Sequence, residues 1–116
     1  MKRFYAPHLM VDAECSPIAE KEIKEILLDI CNLCQMHPIS KPYTVKGADY
    51  NPGVSGFVFI EFSNIAIHTF ERGKKTGINI DVFSCKEFDK KKILHYLRVK
   101  GIKKISHQRR WREIKY

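Results

Sequence analysis

The chain has 116 residues, 44% of them hydrophobic. This length suits one domain with a modest hydrophobic core and is too short for two domains. Its formal net charge of +8 can attract nucleic acid, anionic surfaces or acidic substrates, although lysines spread along helical segments favour a solvated surface. No apolar run approaches the roughly 20 residues of a membrane span and no signal-peptide core precedes Asp12, so we expect a cytoplasmic protein without membrane contact. Nucleic-acid binding by the basic C-terminus stays open as an alternative.

The N-terminal third predicts a strand, a helix and a second strand. Residues 7–14 (PHLMVDAE) suggest the first strand. Ser16 is a good N-cap and Pro17 fits the first helical position, so we expect a helix that starts there and runs to about Met36. Residues 39–46 predict the second strand.

The rest of the chain carries the strongest β pattern and a second helix. Strands are predicted at 56–62, 65–70, 78–85 and 102–106. Ser63 and Asn64 separate the first two of these as a tight hairpin turn, because asparagine tolerates positive φ. Residues 71–77 predict a polar loop. Asp89 is the predicted cap of the second helix, and Gly101 ends it.

This order of elements, β-α-β-β-β-β-α-β, favours an antiparallel sheet because the strands follow one another through short connections. We expect an α+β two-layer sandwich with both amphipathic helices on one face, forming a single domain over residues 1–116. The uncovered face is expected to be largely apolar, as indicated by Phe57, Phe59, Phe62 and Phe83. A homodimer is the simplest way to cover such a face.

The four cysteines are expected to be free thiols in a reducing compartment. Cys31 and Cys34 form a C-x-x-C pair, but both fall inside the helical pattern, and no second Cys or His pair follows at zinc spacing. We therefore interpret them as core residues and expect no metal site.

Ser63, His68 and Cys85 are weak signals when each is taken alone, but they belong to a set of ordered blocks. These blocks are residues 52–60 (PGVSGFVFI), Ser63, residues 67–69 (IHT) and residues 81–85 (DVFSC). In this order and spacing they resemble the central region of the small prokaryotic S-adenosylmethionine decarboxylases. Residues 8–12 (HLMVD), followed closely by a cysteine, resemble the opening strand of the same family.

The resemblance implies a protein that makes its own cofactor. In that family a serine hydroxyl attacks the preceding carbonyl, the amide becomes an ester, and β-elimination splits the chain to leave a pyruvoyl group. Carried over to this sequence, the cut lies between Phe62 and Ser63 and gives fragments 1–62 and 63–116. The resemblance assigns Ser55 to hydrogen bonding of the intermediate and His68 to the role of base in the elimination.

The resemblance also implies the reaction that follows. The pyruvoyl carbonyl forms a Schiff base with S-adenosylmethionine, carbon dioxide leaves, and Cys85 returns a proton. The product supplies aminopropyl groups for spermidine synthesis. Tyr50, or Tyr43, is the candidate aromatic partner of adenine, and Glu71 is a candidate carboxylate for the substrate.

The sequence departs from the family pattern at positions that bear on substrate and processing. Phe62 stands where the family usually has glutamate, Arg72 replaces a second glutamate, and Lys86 replaces a glycine after the cysteine. These departures leave two alternatives: a pyruvoyl-dependent arginine or ornithine decarboxylase, or a homologue that does not process itself and acts as a binding or regulatory protein. A tight turn at Ser63 would also keep His68 about 10 Å away along the strand.

Overall fold

The computed structural model describes residues 1–116 and has the predicted order of elements. Its strands are β1 (Arg3–Cys15), β2 (Tyr43–Lys46), β3 (Val54–Ile60), β4 (Ser63–Arg72), β5 (Lys75–Phe83) and β6 (Lys103–Lys115), and its helices are α1 (Glu20–Leu33) and α2 (Lys90–Val99). The six strands form one antiparallel sheet in the order β2-β3-β4-β5-β1-β6. The predicted α+β two-layer architecture is confirmed. Neither helix has the length and apolarity needed to cross a membrane.

One face of the sheet and both helices share a single hydrophobic core. On β4, Ile65 and Ile67 are fully buried while the residues that alternate with them are more exposed, as a period-two strand with one covered face requires. Helix α1 lies very close to β3 at Gly56, where an added Cβ would be 2.7 Å from Cγ2 of Ile23. Glycine at this position therefore lets the helix approach the sheet. We call this side the covered face and the other side the open face.

The two helices are joined to each other by a partly buried polar contact. The Tyr96 hydroxyl on α2 donates a 2.6 Å hydrogen bond to the Asp29 carboxylate on α1. Burial and the neighbouring carboxylate raise the pKa of the Tyr96 phenol above its ordinary value, so this contact keeps its donor at any physiological pH.

The boundaries of α1 differ from the sequence-based prediction, whereas the cap of α2 agrees with it. Helix α1 begins at Glu20 rather than at Ser16 and Pro17, and its N-cap position, Ala19, makes no side-chain cap bond. Residues 16–19 are needed to lead the chain from β1 to the helix layer. The Asp89 carboxylate accepts a hydrogen bond from the Lys91 N–H, as a cap residue should.

The hairpin between β3 and β4 turns two residues earlier than the sequence suggested. Glu61 and Phe62 form the turn, and Ser63 pairs with Ile60 as the first residue of β4, so the predicted Ser63-Asn64 turn is wrong. Phe62 has φ of 55°, the left-handed conformation for which we had chosen Asn64.

Several strand lengths also differ from the prediction. The strand expected at 39–46 is reduced to β2, with only an isolated bridge between Pro38 and Ile60 before it. The predicted polar loop 71–77 is mostly strand, because β4 and β5 continue to a two-residue turn. The last strand, expected to be short, runs for 13 residues as β6 because it pairs with β1 along most of that strand. It forms one edge of the sheet, and β2 forms the other.

Candidate active site

Ser55 and His68 form a hydrogen-bonded pair on the open face. Ser55 on β3 is directly opposite His68 on β4, and its hydroxyl oxygen is 2.7 Å from Nδ1 of the imidazole. When Nδ1 carries the ring proton it donates to the hydroxyl oxygen, Nε2 is a free base, and the hydroxyl keeps its own hydrogen for another acceptor. The pair thus places a base and a hydrogen-bond donor side by side.

A row of polar side chains continues from His68 across the open face. Asn79 on β5 lies opposite His68, and Asp12 on β1 lies opposite Asn79. The Asn79 side-chain amide donates a hydrogen bond to the Asp12 carboxylate. Together with Asp81, these side chains line a shallow depression of about 250 Å³. His68 is therefore at the border of a depression that contains two carboxylates.

Ser63 lies at the opposite end of the β3–β4 hairpin and is only 6% exposed. Its hydroxyl oxygen accepts a 2.8 Å hydrogen bond from the backbone N–H of Cys85, just beyond the end of β5. The Cys85 thiol donates to the carbonyl oxygen of Glu61 at 3.5 Å. Ser63 and Cys85 are neighbours, and Cys85 contacts the turn on both sides of Phe62.

The structure brings the predicted site residues together as two pairs, not as one cluster. His68 lies five residues after Ser63 on the same strand, which is about 16 Å at 3.3 Å per residue. An odd separation also places their side chains on opposite faces, and the burial pattern of β4 shows Ser63 on the covered face and His68 exposed on the open one. Within one chain, His68 cannot reach Ser63.

The predicted substrate-binding residues lie outside both pairs. Tyr50 is 93% exposed in the loop before β3. Glu71 lies two residues after Thr69, on the same covered side of β4, and lines a groove beside the N-terminus of α1. Tyr43, the other aromatic candidate, is on the open face and packs against Phe57 with ring centroids 5.6 Å apart. Of these residues, only Tyr43 shares a face with the Ser55–His68 pair.

The C-x-x-C cysteines belong to the hydrophobic core, as predicted. Burial raises the pKa of the Cys31 thiol to about 11 and that of the Cys34 thiol to about 12, so both are neutral at ordinary pH. All four cysteines are free, and Cys85 alone among them is not buried. No three His, Cys, Asp or Glu side chains form a group that could hold a metal ion.

Asn79 and Asp12 were not among the residues selected from the sequence. The sequence does indicate the face on which Asn79 lies, because alternation along 78–83 (INIDVF) places it on the same face as Asp81. The register between strands, which brings Asn79 beside His68, cannot be obtained from a single sequence.

Comparison with known proteins identifies the family of the chain. A search of curated proteins gives no match. The family model described as S-adenosylmethionine decarboxylase matches residues 7–113, which include both pairs and every strand that carries them. With nearly the whole chain matched, we conclude that this protein is a member of the S-adenosylmethionine decarboxylase family.

Proposed function

We propose that the protein is a self-processing decarboxylase that cuts its chain between Phe62 and Ser63 and then acts on S-adenosylmethionine. The observation that carries this proposal is the 2.7 Å contact between Ser55 and His68. Processing requires a donor for the oxyanion that forms on the Phe62 carbonyl and a base for the Ser63 α-proton. The Ser55 hydroxyl and the His68 imidazole supply these two groups at one place.

The surroundings of Ser63 suit the pyruvoyl group that would form there. The Cys85 N–H already donates to the oxygen of this residue, and the Cys85 thiol lies beside the same turn, where it can deliver a proton. A pyruvoyl group supplies an electron sink for the loss of carbon dioxide from a bound amino acid. Cys85 would hold the group by its backbone amide and protonate the product by its thiol.

Two copies of the chain can unite the two pairs where one chain cannot. The open face carries exposed or half-buried aromatic side chains at Tyr43, Phe57, Phe59, Phe70 and Phe83. A two-fold axis between two such faces, running across the strands, sets the Ser55 end of one hairpin against the exposed Glu61-Phe62 turn of the other, next to the peptide bond between Phe62 and Ser63. We therefore propose a homodimer in which each site takes Ser55 and His68 from one copy and Ser63 and Cys85 from its partner.

The substrate assignment rests on the family and on two carboxylates beside His68. S-adenosylmethionine carries a sulfonium and an ammonium group, and the depression beside His68 presents the carboxylates of Asp12 and Asp81. The product would supply aminopropyl groups to spermidine synthesis. Arginine and ornithine are also cationic amino acids, so the substrate must be settled by assay.

The test is an intact-mass measurement of the purified chain, with Ser63→Ala as the control. We expect the 13.6 kDa chain to give two fragments, with residue 63 blocked to Edman sequencing, while Ser63→Ala stays whole. Carbon dioxide release from labelled S-adenosylmethionine, arginine and ornithine then identifies the substrate. A parent chain that stays uncut for days would refute self-processing and favour a binding or regulatory homologue.

A further inference from the structure

The turn before Ser63 contains a residue in an unfavourable backbone conformation. Three non-glycine residues have positive φ: Gln35, Phe62 and Lys104. Gln35 follows the end of α1, where left-handed residues are common, and Lys104 lies beside a register irregularity between β1 and β6. Phe62 is a bulky aromatic residue in a two-residue turn, and the residue is 79% exposed, so burial does not compensate the strain.

Contacts on both sides keep Phe62 in this conformation. Ser63 is paired with Ile60 across the turn, which fixes the span that the two turn residues must close. The Cys85 N–H holds the Ser63 hydroxyl oxygen at 2.8 Å, and the Cys85 thiol holds the Glu61 carbonyl at 3.5 Å. The turn is therefore attached to the end of β5 before and after Phe62, and it has little freedom to relax.

From this geometry we infer that Phe62 is a positioning residue whose strained backbone favours the first step of processing, an inference that rests on the proposed function. In that step the bond between the Phe62 carbonyl carbon and Ser63 Oγ forms and the bond to the Ser63 nitrogen breaks. The hydroxyl proton ends on the amine that is set free. No other reactant is needed.

The step lengthens the turn. In the amide, one atom, the nitrogen, separates the Phe62 carbonyl carbon from Cα of Ser63. In the ester, two atoms, Oγ and Cβ, separate them. A turn with one more atom can close the same span between Ile60 and Ser63 with Phe62 at negative φ. The strain is present in the amide and relieved in the ester. The free energy of converting the amide to the ester is therefore more favourable by the amount of the strain energy.

Two substitutions at Phe62 separate the effect of its backbone conformation on cutting from the effect of its ring. Phe62→Ala removes the ring but keeps Cβ, which causes the left-handed penalty, whereas Phe62→Gly removes both. We expect Phe62→Ala to be cut within about twofold of the parent rate and Phe62→Gly to be cut about 5- to 30-fold more slowly. Lys104→Gly, which relaxes a positive φ far from the turn, is the matched control and should be cut at the parent rate.

A second readout isolates the step itself. Hydroxylamine cleaves esters and leaves amides intact, so brief treatment of unprocessed chain reports the fraction present as ester. We expect this fraction to fall with Phe62→Gly and to be unchanged with Phe62→Ala, a difference that general destabilisation would not produce. If the parent is cut and Phe62→Gly is cut as fast, or if Phe62→Ala is as slow as Phe62→Gly, the inference fails and the proposed function stands. A parent that is never cut refutes the proposed function, and the inference with it.

Discussion

The two ends of the β3–β4 hairpin are built in different ways. At one end, Ser55 and His68 contact each other through their side chains on the open face, as the last pair of residues in the β3–β4 ladder. At the other end, Ser63 is held by the backbone amide of Cys85 at a strained turn, on the covered face. In the proposed function, the first end supplies the hydrogen-bond donor and the base, and the second end supplies the peptide bond that is cut.

This difference explains why a single chain holds every predicted residue without forming a complete site. The strand between the two ends is rigid, since β4 is paired on both sides along this length. Its period-two geometry fixes Ser63 and His68 on opposite faces. In the proposed homodimer a second copy supplies the pair of residues that each end lacks, and the predictions below test this division.

The largest expected effect is loss and recovery of cutting in mixed dimers. His68→Ala alone and Ser63→Ala alone should both stay whole. When the two variants are expressed together, the His68→Ala chain should be cut, because its Ser63 faces an intact His68 on the partner. Intact mass distinguishes the two chains, and the Ser63→Ala chain should never be cut. If the mixture stays whole while the parent is cut, the two pairs do not act between copies.

Alkylation should separate the cysteine at the turn from those in the core. With a pKa of about 12, the Cys34 thiol is ionised to only about one part in ten thousand at pH 8, and burial also blocks access. We expect iodoacetamide to modify Cys85 at least about a hundredfold faster than Cys34, as read by peptide mapping of Ser63→Ala protein.

The same pKa shift predicts how stability depends on pH. The Cys34 thiol ionises more readily in the unfolded chain than in the folded one, so its contribution is complete below about pH 8.5, the ordinary cysteine value. The free energy of unfolding of Ser63→Ala protein should fall as pH rises from there towards 12, and Cys34→Ala should reduce that fall. A fall of the same size in both proteins would contradict this assignment.

Removal of the hydroxyl at position 55 should slow processing without stopping it. Ser55→Ala is expected to reduce the rate of cutting about 10²- to 10³-fold, the usual loss when one oxyanion donor is removed. Ser106→Ala, on β6 opposite Asp12 of the polar row, is the matched control and should be cut within about twofold of the parent rate. Equal rates for the two variants would remove Ser55 from the chemistry.

Two neighbouring residues on β4 should differ in how much they contribute to stability. Ile67 is fully buried, and Ile67→Ala should lower the free energy of unfolding by about 2–5 kcal/mol. His68, one position later on the open face, should change it by about 0.5 kcal/mol or less when replaced by alanine. Urea unfolding in the Ser63→Ala background measures both changes. Similar losses of unfolding free energy would mean that His68 on the open face contributes as much to stability as the buried Ile67.

The fold could be predicted from the sequence to a large extent, because periodicity reports which face of an element is buried. Ile65 and Ile67 mark the covered face of β4 as clearly in the sequence as in the structure. Capping chemistry was less reliable, since Ser16 is a good cap that the connection from β1 to α1 leaves unused. Asp89, which faces no such constraint, does cap its helix.

The sequence suggested four candidate site residues but not how they are arranged. Ser55, Ser63, His68 and Cys85 were recognised by their resemblance to a family, whereas their separation into two pairs depends on the turn. Moving that turn from Ser63-Asn64 to Glu61-Phe62 changes which residues face each other. The sequence alone favours the first position for the turn, because asparagine adopts positive φ more readily than phenylalanine does. The tertiary contacts with Cys85 outweigh this local preference.

The long edge of β6 has a consequence for how copies of this chain associate. An uncovered strand edge is a template for a further strand, and repeated pairing of this kind builds open filaments. Exposed cations occupy this edge strand at Lys103, Lys104, Arg110, Arg112 and Lys115. Two such edges repel each other, so pairing of two copies through β6 is disfavoured. This charge favours the proposed homodimer, which would form through the open face of the sheet and close on itself after two copies.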